Sequence, residues 1–103
     1  MKEKIEALAA RLQADTQARF IKDGYTLAVH LPNTLSKVKY GRKYANVDIG
    51  GSGKYMIELD TGRIFGIKAY GVIHRGHQYG TLDTIEDYDW GGYTAVLRQS
   101  VAA

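Results

Sequence analysis

The chain has 103 residues and a mass of 11.4 kDa, the size of one domain with a modest core. It contains no cysteine, which excludes disulfide scaffolds, thiolate zinc sites and thiol catalysis. The net charge of +3 is unevenly placed: residues 1–24 carry +1, residues 25–80 carry +5 and residues 81–103 carry −3.

Residues 1–24 read as a helix. Ile5, Leu8, Ala9, Leu12, Thr16 and Phe20 recur at spacings of three and four, one stripe of a 3.6-residue period. Four further alanines raise helix propensity, and Gly24 stands where a helix would end on a residue with positive φ. The stripe is narrow, so the helix should lie on another layer. From Tyr25 to Leu31 apolar and polar residues alternate, which predicts a strand with His30 on its polar face, ended by Pro32-Asn33. A second β-like run covers about 36–49 with a turn at Gly41-Arg42. Gly50-Gly51-Ser52-Gly53 reads as loop. Residues 54–59 and 63–68 flank Asp60-Thr61-Gly62, a three-residue hairpin turn that would set Lys54 opposite Lys68. The β pattern continues through Ala69–Ile73 with a bend at Gly71. Gly66, Gly71, Gly76 and Gly80 predict bends or bulges. Residues 81–92 read as irregular, and Tyr93–Leu97 as a last strand or short helix. The expected fold is α+β: one domain, 1–103, with an N-terminal amphipathic helix packed on a bent antiparallel sheet or half-open barrel of five to six short strands.

Membrane spans need ~18–20 apolar residues, and no run approaches that. The charged start Met1-Lys2-Glu3-Lys4-Ile5-Glu6 does not read as a secretory signal. These features predict a cytoplasmic protein with no membrane partner.

Motifs for chemistry are sparse. Gly50–Lys54 resembles a phosphate loop, but the first glycine of that motif would fall at Asp48, and Tyr55 stands where a hydroxyl must hold magnesium. His74-Arg75-Gly76-His77 has H-x-x-H spacing with Asp83 as the nearest carboxylate, so this cluster is where an enzyme would keep a general base or metal. The spacing and the intervening glycine argue against a zinc-binding helix. Asp83, Glu86, Asp87 and Asp89 lack the calcium-loop pattern. No catalytic residue, metal or cofactor is assigned.

The basic, aromatic middle carries most information. Lys37, Lys39, Arg42, Lys43, Lys54, Lys68 and Arg75 are interleaved with Tyr40, Tyr44, Tyr55, Phe65 and Tyr70. Cations that track phosphates beside rings that stack on bases suit nucleic acid. By the two-residue period Lys37 and Lys39 share one face, and Val38 and Tyr40 the other. The predicted binding set is Lys37, Lys39, Arg42, Lys43, Lys54, Lys68, Arg75, Tyr44 and Tyr55, acting on nucleic acid or a nucleoprotein. An alternative set is Asp83, Glu86, Asp87, Asp89 and Trp90, with Tyr88 and Tyr93, as an acidic, aromatic contact for a host protein.

The run from Gly53 through Arg63-Ile64-Phe65-Gly66-Ile67-Lys68-Ala69-Tyr70-Gly71-Val72-Ile73-His74 to Thr84 also resembles small proteins encoded by bacteriophages and other mobile elements, a group without an assigned activity. The resemblance covers about 43–93. It implies a small accessory protein in an infected bacterium; in that setting the basic, aromatic middle points to binding nucleic acid, and the small size, charge asymmetry and lack of catalytic motifs point alternatively to inhibiting a host defence system in the manner of an anti-CRISPR protein.

Overall fold

The computed structural model describes residues 1–92 and 94–97. Helix α1 (Lys2–Lys22) is followed by one short helical turn, α2 (Leu27–His30), which runs into a 3-10 turn at Leu31–Asn33. Five strands then form one antiparallel sheet in chain order: β1 (Ser36–Tyr40), β2 (Tyr44–Ile49), β3 (Ser52–Glu58), β4 (Arg63–Ala69) and β5 (Val72–Thr81). A 3-10 turn at Ile85–Asp87 leads to a two-stranded ribbon, β6 (Tyr88–Asp89) with β7 (Val96–Leu97). The architecture is α+β, and the sheet does not close into a barrel. Among the described residues no helix is long and apolar enough to cross a membrane.

The apolar stripe of α1 seats the helix on one face of the sheet. Ile5, Leu8, Ala9, Leu12 and Thr16 are buried, and the first four join Ala45, Val47, Ile49, Tyr55, Ile57 and Ile64 in one core. The helix ends on Gly24 at φ +88°, where the Tyr25 amide donates to the Phe20 carbonyl and the Gly24 amide to Ile21. That is a Schellman cap, and the rings of Phe20 and Tyr25 supply its apolar contact at 5.4 Å.

Residues 25–31 are not a strand. With Tyr25 committed to the cap, Leu27–His30 closes a helical turn on Thr26, and Pro32 sits inside the following 3-10 turn, where its missing N–H costs nothing. Val29 and Leu31 are consequently exposed. The glycine loop is shorter than its composition suggests. Gly50 and Gly51, at φ +60° and +83°, form a two-residue turn that pairs Ile49 with Ser52, so Ser52 and Gly53 belong to β3. The chain reverses at Tyr70-Gly71 instead of bending through it, and Ala69 pairs with Val72.

The β3–β4 turn spans Leu59–Gly62. The Gly62 amide donates to the Glu58 carbonyl at 2.8 Å, and the Leu59 amide is drawn to the Lys43 carbonyl. This fourth residue shifts the expected register by one. Met56 pairs with Phe65 and Ile57 with Ile64, which aligns Lys54 with Ile67 and not with Lys68. Lys54 is moreover the extra residue of a bulge opposite Val47 and Asp48.

Trp90 fastens the C-terminal segment. Its side chain is fully buried, its indole N–H donates to the Ile85 carbonyl at 2.8 Å, and its ring meets Tyr55 edge-on at 5.2 Å. Its backbone N–H donates to the Asp15 carboxylate of α1 at 3.0 Å. Truncation by Trp90→Ala is expected to cost about 3–5 kcal/mol, a large share of a small domain's stability, read as a loss of urea midpoint. Gly50→Ala is expected to cost more than Gly51→Ala. Both add a Cβ at positive φ, at about 1 kcal/mol, but only at Gly50 would that Cβ meet backbone, 2.7 Å from the Asn33 oxygen. Equal melting temperatures for the two variants would contradict this reading.

Candidate nucleic-acid interface

The helix covers one face of the sheet, and the alternation of β1 decides what stands on the other. Ser36, Val38 and Tyr40 turn towards α1: Ser36 donates to Gln13, Val38 packs on the core, and the Tyr40 hydroxyl donates to Glu6 at 2.6 Å. Lys37 and Lys39 therefore point away from the helix, opposite Asp48 and Asn46. The same outer face receives Tyr44, Met56, Glu58 and Phe65 through the pairs Tyr44–Glu58, Asn46–Met56 and Met56–Phe65.

Two cation–ring stacks organise this face. Lys39 Nζ lies 5.2 Å from the centre of the half-exposed Tyr70 ring, whose hydroxyl donates to Asp48 Oδ2 at 3.1 Å. Tyr70, as a hydrogen-bond partner, holds the Lys39 ammonium above its ordinary range, and Asp48 adds to this. The Arg75 guanidinium lies 5.4 Å from the Phe65 ring and 5.8 Å from Tyr44, bonds the Tyr44 hydroxyl, and pairs with Glu58 at 3.5 Å. Arg75 reaches this position because β5 carries three extra residues between Gly66–His74 and Phe65–Gln78, so Arg75-Gly76-His77 bulges from the ladder. The Glu58 carboxyl is held below its usual range, first by the Thr61 hydroxyl and then by Arg75.

The predicted binding residues are thus partly assembled. Lys37, Lys39, Arg42 and Lys43 are all exposed on the β1–β2 hairpin, with Tyr44 and Arg75 beside them. Lys68 is exposed on β4. Tyr55 is 2% exposed and belongs to the core, so its ring offers no face to a base. Lys54 is half-buried, with Nζ 3.4 Å from the Gly92 carbonyl, and burial pushes its ammonium below the ordinary range. Tyr70 was counted among the interleaved rings but not in the predicted set, and the hairpin reversal at Gly71 is what brings it to Lys39.

The acidic segment is dispersed. Asp83 pairs with Lys4 at 2.6 Å, Glu86 approaches Arg11 at 4.0 Å, and the Asp89 carboxylate accepts from the Gly91 amide. Asp87 is exposed in the 3-10 turn, Trp90 is core, and Tyr93 lies outside the described residues. The two histidines stack with ring centres 4.0 Å apart, but Asp83 is held at the α1 side and does not join them. Among the described residues no group of three or more His, Asp or Glu side chains is placed to hold a metal ion.

Three phenols ionise only above their usual range. Tyr40, itself exposed, is pushed up to about 12 by partial desolvation of its hydroxyl, with Glu6 adding to it, and burial raises Tyr55 and Tyr79 as well. A tyrosine in the unfolded chain loses its proton near pH ~10, so the unfolded state sheds protons first as pH rises. The stability these phenols contribute is therefore complete below pH ~10 and is lost as pH climbs towards 12. Urea midpoints measured at pH 9, 10 and 11 are expected to fall across that series, and Tyr40→Phe should flatten part of the fall.

Comparison of the chain with family models, with curated proteins and with solved structures finds no match.

Proposed function

We propose that this protein is a non-enzymatic binding module that takes single-stranded nucleic acid, free or in a nucleoprotein, on the outer face and β1–β2 hairpin of its sheet. The observation that carries the reading is the hairpin itself: Lys37 and Lys39 are exposed on the side the helix leaves open, and Arg42 and Lys43 are exposed in the turn that follows. Cations so placed attract phosphates irrespective of sequence, and Tyr70 and Tyr44 beside them supply ring surface. Asp48, paired opposite Lys37 and acting on Lys39, offsets part of this positive charge. The acidic alternative has less in its favour, since Trp90 is enclosed and Asp83 is paired. The mobile-element setting that the sequence resemblance implies is compatible with such a module.

The test is fluorescence anisotropy with labelled single-stranded DNA and RNA and with duplex DNA. Dissociation constants in the micromolar range are expected at low salt, and four phosphate contacts would give a log–log salt slope of about −3 on single strands. Lys37→Glu with Lys39→Glu should weaken binding by at least about tenfold and flatten the slope, with the melting temperature preserved. Absence of binding to every probe at ~10 μM protein and low salt would overturn the reading.

A further inference from the structure

Away from the outer face, strands β3–β5 and the segment after Trp90 enclose a cleft of about 210 Å³, lined by Lys54, Tyr55, Gly66, Ile67, His74, His77, Tyr79 and Thr94 among others. That is far more than the ~10–15 Å³ one water requires. Its chemistry is one-sided. Every polar side chain around it can donate a hydrogen bond, and none of the described lining residues is a carboxylate.

Two of these groups lack the partner their burial calls for. His74 Nδ1 is buried without a hydrogen bond. The Tyr55 hydroxyl is also buried: the Ala95 amide approaches it as a donor, short of a well-formed bond, and its own proton has no acceptor. A buried polar atom without a partner is costly, so the fold gains from a ligand that supplies one. Gly66 keeps the floor of the cleft low, since a Cβ there would stand 3.2 Å from His77 Cβ and 3.4 Å from the Tyr79 ring. The parallel His74–His77 stack, with rings 17° apart, sets two imidazoles side by side, and Lys54 brings an ammonium to the same space.

We propose that this cleft is a binding site for a tetrahedral oxyanion, phosphate or a terminal phosphoryl group, held by His74, His77, Lys54 and the phenol of Tyr55. The anion's oxygens accept from the imidazole N–H groups and from the Tyr55 hydroxyl, and its charge offsets the ammonium of Lys54. The site is separate from the outer face: its residues come from β3–β5, whereas the proposed interface is centred on the β1–β2 hairpin.

The experiment follows the histidine side-chain resonances by long-range 1H–15N NMR during titration with inorganic phosphate, at ionic strength held constant with sodium chloride. Saturable shifts of the His74 and His77 signals are expected, with a dissociation constant below about 1 mM. His77→Gln, at an exposed position that leaves the core intact, should weaken this at least about fivefold, and the His74→Gln, His77→Gln pair should abolish it. A 5′-phosphorylated dinucleotide and its 5′-hydroxyl counterpart identify the source. Tighter binding of the phosphorylated form than of inorganic phosphate assigns a nucleic-acid end, and equal binding assigns a free anion. Shifts that chloride reproduces, or that fail to saturate by about 10 mM phosphate, overturn the site. The Lys37→Glu, Lys39→Glu variant should keep the full phosphate response, and loss of that response would overturn the claim of a separate site.

Discussion

The structure depends on how the segment around Trp90 is held against α1. A single residue joins three layers: its indole lies on Tyr55 of the sheet, its ring nitrogen is bonded to Ile85 in the turn before it, and its backbone is tied to Asp15 on the helix. The approach is close enough that the next position must be glycine. A Cβ at Gly91 would stand 2.5 Å from the Asp15 carbonyl oxygen. Arg11 pairs with the same Asp15 at 3.2 Å and fixes the carboxylate one turn along the helix. Without this contact α1 would lose its tie to Trp90, and the end of the core bounded by Leu82 and Ala95 would be less well covered.

That arrangement makes the two sides of the sheet unequal. One side is sealed by aliphatic packing against the helix. The other has no covering element among the described residues, and it shields its own apolar side chains with cations: Phe65 and Met56 are 3% and 4% exposed, with the Arg75 guanidinium over the Phe65 ring. The carboxylates there are held within the fold. Asp48 is engaged by Tyr70, and Glu58 by Thr61 and Arg75, whereas the hairpin lysines extend into solvent.

Much of this was legible in the sequence, for reasons that differ by element. The stripe Ile5-Leu8-Ala9-Leu12-Thr16 specified both the helix and its buried face, because helix period and burial are one signal. The face shared by Lys37 and Lys39 followed from the period of β1 in the same way. Residues 25–31 misled because Leu27 and Leu31 fit both a two-residue and a four-residue spacing, and the Schellman cap that takes Tyr25 chose the helical turn. The pairing of Lys54 with Lys68 failed by one position because Leu59 joins the turn through a bond to Lys43, a contact between hairpins that local turn chemistry does not encode. The histidine pair was visible as a motif, but its surroundings were not. The bulge in β5 separates it from Asp83 and places it beside Lys54 and Tyr55, and bulge positions depend on tertiary packing.

The position of β1 at the end of the strand order has a consequence of its own. The strand pairs only with β2, so its other row of amides and carbonyls lies outside the ladder, a template onto which a second chain can add a strand. Lys37 and Lys39, exposed on this same strand, guard that edge by mutual repulsion between copies. Under the proposed function, the charges that would draw a polyanion are therefore the charges that keep molecules apart. Were an anion held on this face to neutralise them, the barrier between neighbouring β1 edges would fall, so occupancy of the face and pairing of copies would be coupled.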